Sequence, residues 1–448
     1  MISKYFPLAS VLVVTLLLLS SCLNSSTDNV EYSPDAQIYT FSLSSKTDTA
    51  SLLSATQFTI DQINGRIFNQ EPLPYLFQVD SVLLSISGAN SYSPFSQVLL
   101  TLDADSTIFW RQSDSVSVNR LSKITTYAPD GITKKEYSFE LNIHQQDPYI
   151  LNWQKLKSDY LPASPLSQKS VAFGGNLITY YLTAERIEAV ASEAGDGTDW
   201  RSVTVAGLPV TSDLSTVTLT GEGFFILDTA ANTVYHSLDG MTWNAVSASY
   251  SVQAIYGSIP ASGGEKLLLA VDHGDEIRFA ETADFTELEI LNRIPDQFPT
   301  GGFSSAKVDD PSSYSIKYLL LAGGTDANHI LTNQIWILQK KEGGIKFIPS
   351  SLPLSLNLQG SSLFFYDNKP YLMAISPGKN ILYYSDNFGL DWEETKENQV
   401  FPAAFPKRTH ASVLTDAANY IWIFGGISSE QTQITDVWRG RLNKFTGM

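Results

Sequence analysis

Ser237-Leu238-Asp239-Gly240-Met241-Thr242-Trp243 is a polar turn that ends in tryptophan and runs into a short strand. The design returns as Gly195-Asp196-Gly197-Thr198-Asp199-Trp200, as Thr282-Ala283-Asp284-Phe285-Thr286-Glu287-Leu288 and as Ser385-Asp386-Asn387-Phe388-Gly389-Leu390-Asp391-Trp392. Trp243 follows Trp200 by 43 residues, and Leu288 follows Trp243 by 45. Repeats of about 40–50 residues, each with several strands, mark a β-propeller. In such a turn the Asp or Ser side chain caps amides, Gly supplies positive φ, and the aromatic ring packs at the blade surface.

A second marker interleaves with the first. Tyr318–Ala322 leads through Gly323-Gly324 and a polar loop to Trp336, and Tyr420–Phe424 leads through Gly425-Gly426 to Trp438. A glycine pair permits a sharp exit from a buried strand where a Cβ would clash. Strands beginning at Trp200, Trp243, Phe285, Ile345 and Trp392 are then the outermost strands of five blades. A sixth blade runs through Ala411–Leu414, Tyr420–Phe424 and Val437–Leu442, and lacks an outer strand. Leu151-Asn152-Trp153-Gln154-Lys155-Leu156 has the composition of that missing strand. The expectation is a six-bladed propeller over 148–448, closed by the strand of Trp153, which removes an unpaired edge.

Working towards the N-terminus, residues 35–147 read as a small β-sandwich in an all-β chain. Phe41 and Leu43 alternate with Ser42 and Ser44, and Tyr137, Phe139, Leu141 and Ile143 alternate with polar residues. Period-2 alternation buries one face of a strand. Asn64-Gly65 between two short apolar runs predicts a hairpin with a tight type I′ turn.

The first 34 residues have a different character. Lys4 precedes an apolar run over Leu8–Leu19, and Leu19-Ser20-Ser21-Cys22 follows. The run is short for a membrane span, which needs about 20 apolar residues, and reads as the core of a signal peptide over 1–21. Cys22 is the sole cysteine in 448 residues, which excludes internal disulfides and thiolate metal clusters. Residues 22–34 read as a flexible tether rich in Ser, Asn and Asp.

A formal charge of −17 argues against nucleic acid, which demands a basic stripe. The paired cations Lys134-Lys135, Lys340-Lys341 and Lys407-Arg408 are far apart and read as solvated turns. Hydrophobic residues at 43% against 17% charged supply enough apolar material for folded cores.

Several resemblances attach to these residues. Leu19–Cys22 resembles the bacterial lipobox, which implies a diacylglyceryl group on the Cys22 thiol and cleavage before it. The turns at Ser237–Trp243 and Ser385–Trp392 resemble the Asp-box of sialidase-type propellers. Gly323-Gly324…Trp336 and Gly425-Gly426…Trp438 resemble Kelch repeats, as does Pro406-Lys407-Arg408-Thr409-His410-Ala411-Ser412. The whole layout is similar to an uncharacterised family of Bacteroides-type envelope lipoproteins, with a segment like Phe58–Asp61…Ile67–Asn69…Pro72-Leu73-Pro74 and a junction like His144–Pro148. That resemblance implies a lipid-anchored protein of the cell envelope, at the outer membrane, on its periplasmic or surface side. It implies no activity, and Asp-boxes lie at the propeller rim, away from ligand sites.

No catalytic motif emerges. There is no Gly-x-Ser-x-Gly elbow, no phosphate loop and no His-Glu-x-x-His. Sialidase chemistry needs three arginines, a Tyr–Glu pair and an Asp acid, and Arg293-Ile294-Pro295 lies mid-propeller rather than at the start of the domain. The five histidines, 144, 236, 273, 329 and 410, are scattered and read as structural or exposed. Asp272-His273-Gly274-Asp275-Glu276 misses the spacing of a calcium loop and reads as a solvated turn. The sequence therefore points to no cofactor, no metal and no catalytic residue. It favours a binding lipoprotein whose propeller loops capture a glycan or dock a protein. The alternative is a glycan-cleaving enzyme, glycoside hydrolase or sialidase-like, whose acid pair converges at the propeller axis.

Overall fold

A computed structural model describes residues 31–446 apart from 80, 90–94, 104–105, 262–263, 310–316, 353–355 and 377. Residues 1–21, expected as a signal peptide, Cys22 and most of the expected tether over 22–34 lie outside the described residues. Two compact units divide between Asp147 and Pro148.

The N-terminal unit packs a three-stranded sheet (Thr40–Ser44, Val82–Ser87, Ser115–Val116) and a six-stranded sheet around one apolar core. The larger sheet runs Phe58–Asp61, Arg66–Asn69, Lys134–Glu140, Leu121–Tyr127, Gln97–Leu102, Ser106–Phe109. Phe41, Leu43, Tyr137 and Phe139 point inward, as their alternation requires. The hairpin at Asn64-Gly65 differs from the expected tight turn. Asp61 is the last residue paired, with Arg66, so the loop has four residues. Gly65 alone in it takes the left-handed region, at φ 62°. The Asp61 carboxylate accepts the amides of Ile63 and Asn64 at 3.0 and 2.9 Å, which stabilises the wider loop locally.

The C-terminal unit is a six-bladed propeller. Five blades are four-stranded antiparallel sheets formed by consecutive strands. Blade 1 begins at Ser167–Phe173, blade 2 at Ser212–Thr220, blade 3 at Val252–Ala261, blade 4 at Ser304–Asp309 and blade 5 at Asn357–Tyr366. Blade 6 begins with Arg408–Thr409 and Ser412–Thr415, continues through Ile421–Ser428 and Gln433–Leu442, and takes its outer strand from Leu151–Lys157. That closing strand is antiparallel to Gln433–Leu442 and sets Trp153 opposite Gly440. The strand near Trp153 thus closes the ring and pairs the edge that blade 6 would otherwise leave open.

Second strands such as Leu267–Val271 and Ile421–Phe424 are continuous apolar runs because neighbouring blades cover both their faces. Six apolar clusters among the described residues fill the six blade interfaces. Outer strands at Arg201–Val203, Asn244–Ala245 and Glu393–Glu394 are two or three residues long. Such short edges offer little for another sheet to extend.

Candidate functional site

The tryptophan turns are joints between blades. Gly240 donates its amide to Ser237 Oγ at 2.9 Å, Asp239 Oδ1 accepts the amides of Met241 and Thr242, and the Trp243 indole donates to Gly240 O at 3.1 Å. Ser385, Asn387, Gly389 and Trp392 repeat this pattern. The rings enter the interface with the preceding blade instead of lying at the blade surface, because Trp243 belongs to the core shared by blades 1 and 2 and Trp392 to that of blades 4 and 5. The preceding blade answers with a tyrosine: Tyr180 Oη donates to Gly240 O, and Tyr318 Oη to Phe388 O, both at 2.7 Å.

Antiparallel order fixes where these turns lie. They join third to fourth strands, so they lie at the end of the propeller where the first strands finish. The double glycines end second strands and lie at the opposite end, where the first strands start. A Cβ on Gly324 would stand 2.6 Å from Gly301 O, and one on Gly426 2.7 Å from Thr409 O. These glycines let the chain leading into a first strand pass directly over the strand behind it. Trp336 and Trp438 pack in the interfaces of blades 3 and 4 and of blades 5 and 6.

At that same end the first strands surround a cavity of about 320 Å³. Blade 1 contributes Ser167, Gln168 and Lys169, blade 2 Asp213 and Ser215, and blade 4 Gly302, Phe303 and Ser304. Blade 5 contributes Gly360, Ser361 and Ser362, and blade 6 His410, Ala411 and Ser412. Contributions from five blades place the cavity on the propeller axis. Small residues predominate because six strands must approach one another there.

Many of these polar groups are consumed by the fold. Ser412 Oγ accepts the Ser170 amide at 2.9 Å, Ser304 Oγ accepts the Leu363 amide at 2.8 Å, and Ser362 Oγ donates to Ala411 O at 2.7 Å. Gln168 Nε2 donates to Phe424 O at 3.2 Å. Each of these bonds stitches one blade to another.

Lys169, Ser361 and the His410 ring are left over. Among the described residues Lys169 forms no ion pair and Ser361 Oγ has no hydrogen-bond partner, although Ser361 is only 9% exposed. Burial draws the Lys169 ammonium below the ordinary lysine range, and the nearby Asp213 charge opposes that shift. Asp213 cannot swing towards it freely, because its Oδ1 accepts both the amide and the hydroxyl of Ser215, at 2.9 and 2.7 Å. The His410 amide donates to Gly360 O at 2.7 Å, which sets the imidazole over the bare Cα of Gly360. Burial holds that imidazole below its usual range, so it is neutral at neutral pH.

None of the propeller's seven arginines lines this mouth. Arg186 pairs with Glu188, Arg278 with Glu276, and Arg293 with Glu276 and Asp296. Arg408 corrects the solvated-turn reading of Lys407-Arg408. It is 1% exposed, paired with Asp436 through Nη1–Oδ1 at 2.5 Å and Nη2–Oδ2 at 3.0 Å, and stacked on Phe405. A bidentate partner 28 residues later in the chain makes that burial tolerable. Of Asp272–Glu276 only Gly274-Asp275 form the turn, since Asp272 and His273 end the strand Gly264–His273 and Glu276 begins Glu276–Thr282.

The DUF6242 beta propeller domain matches residues 147–447, and the DUF6242 N-terminal domain matches residues 27–141. The chain belongs to the DUF6242 family. A comparison of the sequence with curated proteins returned no match. Among solved structures the DUF6242 chain is similar to that of YjhT, at 11% identity and a TM-score of 0.44, over 62% of this chain and 95% of that one. Virginiamycin B lyase from Staphylococcus aureus matches at 12% identity and 0.40, over 65% and 99%. Trypanosoma rangeli sialidase matches at 10% and 0.39, over 66% of the DUF6242 chain and 60% of its own length.

In the sequence His410 is one of five scattered histidines, and no local motif marks Lys169, Asp213 or Ser361. One signal was available: each falls at or near the start of its blade's first strand, so the six starts can be compared once the blades are counted.

Proposed function

We propose that this DUF6242 protein is a lipid-anchored cell-envelope protein that captures a glycan at the axial mouth of its propeller without cleaving it. In this reading residues 1–21 are a signal peptide, Cys22 carries the lipid at the outer membrane, 22–34 is a tether and the 35–147 sandwich is a spacer. Two acyl signals at one N-terminus would hold the chain stably on a bilayer.

The observation that carries capture is the composition of the mouth. The Ser361 hydroxyl, Lys169, the His410 ring and the Asp213 carboxylate are left for a ligand in a recess edged by Phe303. That set suits a sugar, whose hydroxyls need donors and acceptors and whose C–H face packs on a ring. Glycoside hydrolysis uses two carboxyl groups about 5–9.5 Å apart, and Asp213 is the sole acid lining the cavity among the described residues. This supports binding over cleavage.

The test is a broad glycan panel read for retention and for released products. Retention without products is the expected result, and cleavage products would overturn it. If nothing is retained, the reading fails in favour of a protein partner. Mass spectrometry of the mature N-terminus tests the anchor separately, with an acylated Cys22 expected.

A further inference from the structure

The charge pattern of the mouth narrows the ligand. Its lining holds one ammonium, Lys169, and one carboxylate, Asp213, and they form no ion pair with each other. Lys169 is in Ser167–Phe173, whose side chains alternate between the two flanking blades. The Gln168 side chain is turned to blade 6, where its Nε2 donates to Phe424 O at 3.2 Å. Alternation therefore turns Lys169 to the side of blade 2, which carries Asp213. The Ser215 bonds fix Asp213 within its own turn. A buried ammonium without a direct ion pair is costly, and among the described residues Asp213 acts on Lys169 only through its nearby charge, without pairing with it.

We infer that the axial mouth is built for an acidic sugar, with the ligand carboxylate on Lys169 and its ring hydroxyls on Asp213 and His410. This rests on the glycan-capture reading and specifies its ligand. An incoming carboxylate gives Lys169 the charge-assisted hydrogen bond it lacks. Asp213 keeps Oδ2 for a hydroxyl donor, a role that distinguishes a sugar acid from a simple anion. The neutral imidazole of His410 donates at one nitrogen and accepts at the other, which suits a hydroxyl. A single ammonium with no arginine fork favours a carboxylate over a phosphate, which arginine clusters bind bidentately. A cavity of about 320 Å³ is at the small end of ligand sites, a size for one or two sugar units.

The experiment measures binding of D-glucuronate, its methyl ester, D-glucose and acetate to the full chain by calorimetry. Glucuronate is expected to bind at least tenfold more tightly than each of the others. Lys169→Met should bring glucuronate down to the level of glucose, and Lys169→Arg should keep part of the preference. The methyl ester removes the charge with the protein untouched, so the comparison holds even if a variant fails to fold. Equal binding of glucuronate and its ester, equal binding of acetate, or no binding of any probe would overturn the inference. Neutral glycans retained in the panel alongside equal glucuronate and ester binding would overturn acid selectivity while leaving capture intact.

Discussion

Trp153 lies against the bare backbone of Gly440, its register partner across the seam that closes the propeller. A Cβ at Gly440 would stand 2.5 Å from the indole Cζ3. The same indole packs on Phe401 at 4.9 Å between ring centroids, so the seam has an aromatic face as well as a hydrogen-bonded edge. Gly440→Ala should therefore displace Trp153 and expose the closing strand, seen as a lowered Tm and earlier proteolysis near Leu151–Lys157. Trp153→Ala should cost about 3 kcal/mol, the low end for an aromatic truncation, since the ring is only partly buried. Trp153→Phe should be much milder, because the indole Nε1 is buried without a hydrogen-bond partner. A Phe variant as unstable as the Ala variant would contradict this account of the seam.

Blade 6 holds a second device beside that seam. Arg408 and Asp436 are both buried, Asp436 also accepts the Trp438 indole N–H at 2.8 Å, and Lys155 of the closing strand stands 3.9 Å away. Asp436→Leu leaves a guanidinium buried with carbonyl partners alone, and should cost about 3–5 kcal/mol in denaturant unfolding. Arg408→Met combined with Asp436→Leu should recover much of that loss, since no isolated charge remains. A double variant as unstable as Asp436→Leu alone would mean that packing, not charge, dominates the site.

How much of this was legible follows the range of the interactions. The Asp239 turn could be read because its carboxylate bonds amides two and three residues away, so its chemistry is contained in seven letters. The closing strand could be read because blade 6 lacked an outer strand and Leu151–Leu156 had the composition of one. The Arg408–Asp436 pair could not, since a buried ion pair and a solvated turn use the same residue types until the partner is placed. The Asn64-Gly65 hairpin forms, but its loop is two residues longer than a tight turn because Asp61 caps its amides. The mouth was hidden for the same reason as Arg408: Lys169, Asp213 and His410 come from three blades and meet only after six sheets close.

Gly360 and His410 provide a test within the mouth. A Cβ at Gly360 would lie 2.6 Å from His410 Cε1 and Nδ1, and the φ of Gly360 is 66°. Gly360→Ala should push the imidazole outward and cost more than about 1 kcal/mol through backbone strain. In the native chain the His410 ring should titrate below the ordinary histidine range, because burial disfavours the imidazolium. In the variant its titration should return towards the ordinary value. NMR of the ring protons against pH reads both, and an unchanged titration would show that the ring does not rest on Gly360.

The Asp239 turn makes a pH-dependent contribution whose sign can be worked out. The amides of Thr242 and Met241, with the Ser237 hydroxyl, hold the Asp239 carboxyl below the usual aspartate range. A carboxyl whose pKa is depressed on folding stabilises the fold above its unfolded pKa, near about 3.9, and loses that contribution as pH falls through the folded value. Asn is sterically acceptable here, since Asn387 fills the matching place in blade 5 and accepts the Asp391 amide at 2.9 Å. Asp239→Asn keeps the acceptor and removes the charge. Its Tm should therefore lie below that of the native chain at pH 7, and the gap should close as pH falls below about 4. Thermal melts of both proteins between pH 3 and 7 read this gap directly. A gap that stays constant across the range would mean that the turn is held by geometry alone and the carboxylate charge adds nothing.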